Sequence, residues 1–115
     1  MQRPILLAAL LFTTAATAQE PPAAAHRDLW CGLAFDYAAG DLPPDATPRQ
    51  QQVIPRYATG ASMLLERAEQ GFLRAGYSAA RFAALREQMR VAIEGGLAGD
   101  DPPYSFQDCD VLLPR

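Results

Sequence analysis

The chain has 115 residues, half of them hydrophobic, and 13 acidic against 10 basic side chains give a formal charge of −3. An acidic chain this short holds one hydrophobic core, near the small end of what folds alone, and lacks the basic excess that draws a protein to nucleic acid. All the Lys/Arg positions are arginine. With the wealth of Ala and Pro, this is read as GC-rich bacterial coding.

Residues 1–18 read as an export signal. Arg3 supplies a short basic start, and Ile5 to Phe12 is an apolar run too short to span a bilayer. Ala16-Thr17-Ala18 offers the small residues of a cleavage site. Cleavage after Ala18 leaves a single domain, 19–115, with no later stretch fit to cross a membrane. The expected location is a periplasm, with no stable membrane insertion once the signal is removed.

The first helix is expected over about 23–39. Gln19 to Ala25 is a loose leader or a helix opening at Pro22, and His26 falls in that stretch. Asp28 is a candidate cap, and Trp30, Leu33, Ala34 and Tyr37 share a face, with Cys31, Phe35 and Ala38 on a second apolar flank. Gly40 ends the helix, and Pro43-Pro44 marks a loop.

The next helix, 48–75, is the spine of the fold. Thr47, Pro48 and Gln50 spell a capping box with proline at the first helical position. Ile54, Tyr57, Ala58, Ala61, Leu64, Leu65, Ala68, Phe72 and Ala75 then fall on one face. Pro55 should break the helix, yet the apolar phase carries across it, so a kink near Pro55 is expected. Gly60 and Gly71 lie at an edge of the stripe, where each costs about 1 kcal/mol relative to alanine. Close approach of another helix explains both, and so does a binding groove.

Gly76, Tyr77 and Ser78 form the best-specified turn. Gly76 suits a left-handed position, Tyr77 can touch Phe72 and staple onto Phe82, and Ser78 caps the third helix, 79–95. An αα-hairpin follows. Phe82, Leu85, Met89, Ala92 and Ile93 should face the spine, while Arg90 can pair with Glu87 and Glu94. Gly95, Gly96 and Gly99 end this helix, and Asp100 to Pro103 turns the chain. Ser105 and Asp108 make an acidic capping box for a last helix, 106–113, with Phe106, Cys109, Leu112 and Leu113 inward.

Cys31 and Cys109 are the only cysteines. In a small exported chain they are most simply one disulfide; no C-x-x-C pair is present, and His26 with two distant thiols makes a poor metal set. The whole is thus an all-α, four-helix bundle-like domain with a central αα-hairpin and one disulfide.

Little in the chain suggests catalysis, metal or cofactor binding. There is one histidine, no glycine-rich phosphate loop and no serine beside a base, and the aspartates fit no calcium loop. No enzyme activity and no cofactor are expected. Trp30, Tyr37, Tyr57, Phe72, Tyr77 and Phe82 read first as core, and second as the lining of a cavity. Arg56, Arg67 and Arg74 line up along the spine as a candidate partner-binding surface. The acidic end, Asp100, Asp101, Asp108 and Asp110, could instead meet them within one molecule.

An export signal, a small helical body, Trp30 beside Cys31 and a second cysteine near a helix together resemble periplasmic acid-stress chaperones of the Hde type. The separation of Cys31 from Cys109 is wider than that type implies, and no functional residue is carried over. The expected function is binding of a protein partner in the cell envelope, chaperone-like or as an inhibitor or immunity protein. The alternative is a small-ligand or lipid carrier with a cavity between helices.

Overall fold

The computed structural model describes residues 20–40, 42–96 and 101–114. The export signal read over 1–18, together with Gln19, Asp41, Gly99 and Asp100, lies outside the described residues. Among the described residues four helices follow in order: α1, Ala23–Ala39; α2, Pro48–Arg74; α3, Ala79–Glu94; and α4, Phe106–Asp110. No strand occurs among the described residues, and the fold is all-α.

The spine forms as its sequence directs. The Thr47 hydroxyl accepts from the Gln50 N–H at 3.2 Å, and the Gln50 side-chain carbonyl accepts from the Thr47 N–H at 2.8 Å. Pro48 sits at the first position, where its missing N–H costs nothing. The helix runs unbroken through Pro55, which lies on the exposed side. Ala61, Leu64, Leu65, Ala68 and Phe72 are buried as the stripe requires. Ala58 departs from it and is exposed.

The strongest packing is of α1 on α2, and the two run antiparallel. Ala25 lies against Gly71, Asp28 pairs with Arg67, Gly32 meets Leu64 and Leu65, and Phe35 stacks near Tyr57. A side-chain carbon on Gly32 would fall 2.9 Å from Leu65 Cδ2, and one on Gly71 would fall 2.7 Å from Ala25 Cβ. At Gly60 it would run into Leu113. The cost of glycine inside helices is offset here by close approach, of another helix at Gly71 as expected, and at Gly60 of Leu113, which lies beyond the last helix.

This crossing corrects the reading of α1. Asp28 is no cap: it lies inside the helix, which starts at Ala23 behind Pro22. The buried face is Ala25, Leu29, Leu33, Phe35 and Ala39, and Tyr37 is 56% exposed. α1 is apolar on two flanks, so periodicity alone leaves its rotation open. The partner helix decides it by accepting Gly32 and Asp28. His26 is not in a loose leader but in the first turns of α1, held to Tyr104.

The αα-hairpin turn forms as read. Gly76 has φ +100°, Tyr77 N–H donates to Phe72 C=O at 3.0 Å and Gly76 N–H to Leu73 C=O at 3.0 Å. These are the two bonds of a Schellman cap. The Ser78 hydroxyl accepts from the Arg81 N–H at 3.1 Å. The Phe72 ring lies 4.9 Å from Tyr77 and 5.4 Å from Phe82, and the three rings are buried in one cluster at this corner. Gly76→Val should lower stability by more than about 1 kcal/mol, since a β-branched side chain fits a positive φ poorly. An unchanged urea midpoint would count against the cap's importance.

α3 departs from its expected placement. It packs mainly on α1 and only secondarily on the spine. Phe82 alone is fully buried, with Leu85, Met89 and Ile93 at the edge of the core. The chain connecting α2 to α3 is so short that α3 pivots about the Tyr77 corner and covers the face of α1 that α2 leaves open.

The last helix is shorter than expected. It ends at Asp110 instead of residue 113, and turns carry the chain on to Leu113. Ser105 and Asp108 make the capping box in both directions, at 2.9 and 3.0 Å. Phe106, expected inward, is 56% exposed. The disulfide and the seat of Leu113 against Gly60 hold this segment, and neither needs a further turn of helix. The Cys31–Cys109 bond is present, and both residues are buried.

Candidate functional site

The disulfide carries the C-terminal segment onto the middle of α1, and an aromatic groove forms beside it. α1 contributes Trp30, Ala34, Phe35 and Ala38, the spine contributes Tyr57, and the last segment contributes Tyr104 and Phe106. The groove holds about 260 Å³ and its walls are almost wholly apolar. Phe35 and Tyr57 lie 4.9 Å apart, and Phe106 stands edge-on to both, at 6.4 and 6.3 Å. Trp30 and Tyr104 are 5.9 Å apart. Such tilted and edge-on pairs are the favoured arrangements of aromatic rings, so the walls hold their shape.

Tyr104 is the hinge of this wall. Its hydroxyl lies 2.8 Å from His26 Nδ1, which ties the segment to the start of α1. Burial pushes its pKa above the usual value, with the Arg27 charge opposing. Tyr104 therefore stays neutral, and the groove keeps an uncharged wall. Asp108 is held below its usual pKa by hydrogen bonds from the backbone and hydroxyl of Ser105, so the α4 cap is ionised at neutral pH.

Of the six aromatics read first as core, Phe72, Tyr77 and Phe82 are core at the hairpin corner, Trp30 and Tyr57 line the groove as in the second reading, and Tyr37 is exposed in departure from both. Phe35, Tyr104 and Phe106 were missed as groove residues. The signal for them was the disulfide itself, since pairing Cys31 with Cys109 brings the neighbours of each cysteine together.

The three spine arginines separate. Arg56 donates to Asp110 at 3.0 Å, both half-exposed. Here the basic and acidic patches do meet within one molecule. Arg67 grips Asp28 with two parallel bonds, Nε at 2.8 Å and Nη2 at 2.9 Å. Asp28 is buried, and the fork satisfies a carboxylate that would otherwise be costly there. Donating these hydrogen bonds to Asp28 raises the Arg67 pKa, with burial opposing. Arg74 makes no ion pair among the described residues. Gly76, Tyr77 and Ser78 act in the hairpin turn, far in the fold from the groove lining.

Among the described residues, no helix is long and apolar enough to cross a membrane, and no three His, Cys, Asp or Glu are grouped to hold a metal. No known family, curated protein or solved structure matches the chain.

Proposed function

We propose that the protein is a non-catalytic binder of the periplasm, and that the aromatic groove seats an apolar side chain from a protein partner. The observation that carries this is a groove with five aromatic walls whose outer ring, Phe106, is 56% exposed. Its size favours a side chain over a carried ligand: about 260 Å³ falls below the roughly 300–1,000 Å³ of sites that enclose drug-sized molecules. Aromatic anchors in such pockets carry most of the energy of protein interfaces. The buried disulfide supports an oxidising compartment, where such a bond persists.

Trp30 is the only tryptophan and lines the groove, so its emission reports occupancy. Titration with an unfolded, tryptophan-free polypeptide should give a saturable change in emission. Phe106→Ser should weaken that binding about tenfold or more, the loss of one interface anchor, with little change in melting temperature. No response to polypeptide, with saturation by a long-chain fatty acid at one per chain, would replace the partner reading with the carrier reading.

A further inference from the structure

A second concavity, of about 400 Å³, lies between the start of α1 and the end of α2. Three arginines, Arg27, Arg67 and Arg74, line it with one carboxylate, Asp28. The Arg67 fork already neutralises Asp28. Arg74 makes no ion pair among the described residues, and the charge of Arg27, which lines this concavity, also acts on Asp108 and Tyr104. Arg67 uses only part of its donor set on Asp28, since a guanidinium has five N–H groups. Nε of Arg27 is buried and has no hydrogen-bond partner among the described residues. A buried donor of this kind is rare in a folded protein and calls for an acceptor.

The start of α1 adds to the same field. Pro22 precedes the helix without a side-chain cap, and the first turn has no acidic residue. The N–H groups of Ala23, Ala24 and Ala25 therefore lack helical acceptors, and the positive end of a 17-residue helix is uncompensated. Ala24 and Ala25 line the concavity. Arg27, one turn further in, increases the surplus instead of relieving it. Gly71 lines the same wall, where a larger residue would press on Ala25.

We propose that this concavity binds a phosphate group, free or carried on a lipid. Guanidinium forks and helix N-terminal N–H groups are donors that match phosphate oxygens, and a phosphate places negative charge beside Arg27 and Arg74. This site is distinct from the aromatic groove and does not depend on the reading given to it.

Calorimetric titration with inorganic phosphate at low ionic strength should show saturable one-site binding. Arg74→Gln and Arg27→Gln should each weaken it about tenfold, the effect of losing one charge-assisted hydrogen bond. Arg86→Gln, on the exposed side of α3, should leave it unchanged. Arg74 is exposed at the end of its helix, so its variant should keep the native melting temperature and remains informative if Arg27→Gln unfolds. Sedimentation with phosphatidylglycerol vesicles, against phosphatidylcholine, separates the two sources. Co-sedimentation lost in Arg74→Gln marks a lipid-borne phosphate, and phosphate binding without co-sedimentation marks a soluble ester. Absence of both saturable phosphate binding and Arg74-dependent co-sedimentation, or equal weakening by Arg86→Gln, would overturn the proposal.

Discussion

Reducing the Cys31–Cys109 bond, or replacing Cys109 with Ser, should remove about 4–5 kcal/mol of stability. The bond closes a loop spanning a sequence separation of 78, and on the chain-entropy model a loop of that size costs the unfolded state about that much freedom. Small domains have only about 5–15 kcal/mol in total, so the loss approaches the whole. The effect should start at the C-terminus. α4 is only 5 residues long, too short to persist alone, and its described helix-to-helix packing is with α1. Leu113 against Gly60 is its other anchor. Hydrogen exchange should therefore speed first at 106–113, with a change in Trp30 emission as Tyr104 and Phe106 leave the groove. Urea unfolding with and without reductant measures the rest. A shift below about 1 kcal/mol, with exchange unchanged, would show that the helices hold without the bond.

Phe72→Ala should cost about 3–5 kcal/mol, the usual range for deleting a fully buried ring. Phe72 has no exposed surface and contacts both Tyr77 and Phe82. Those rings hold the corner at which α2 hands over to α3, so the lost volume has no side chain free to fill it. Phe82 is the only fully buried residue of α3, and losing its neighbour should loosen that helix before α1 or α4. The groove belongs to the other core cluster and should keep its Trp30 emission below the unfolding transition. The test is the urea midpoint at constant slope. A loss under about 1 kcal/mol would mean that the corner collapses onto the space left behind.

The two predictions fall on elements that were legible to different degrees. The Phe72 corner was written locally: Gly76, Tyr77 and Ser78 need only neighbours within a few residues to form both caps, and they form them. The same holds for the Thr47–Gln50 and Ser105–Asp108 boxes, and for Arg90 between Glu87 and Glu94 at 2.6 and 2.8 Å. The groove was not written this way. Trp30 and Phe35 lie far along the chain from Tyr104 and Phe106, and no periodicity connects them. Only the pairing of two cysteines pointed at their meeting, and it did not say which side of α1 would face the segment.

What the sequence determined by itself was the number and order of the helices, most of their ends, the buried stripe of α2 and the disulfide. Each follows from short-range hydrogen bonding, from a one-sided apolar period, or from there being a single pair of cysteines. What the tertiary structure decided was the rotation of α1, the placement of α3 on α1, the early end of α4 and the partners of Asp28, Arg56 and Arg67. The reason is the same in each case. A helix with apolar residues on two flanks has several ways to bury them at similar cost, and a charge finds its partner through space. Those choices are settled by which backbones can approach, here at Gly32 and Gly71, and that is a property of the packed pair of helices and not of either one alone.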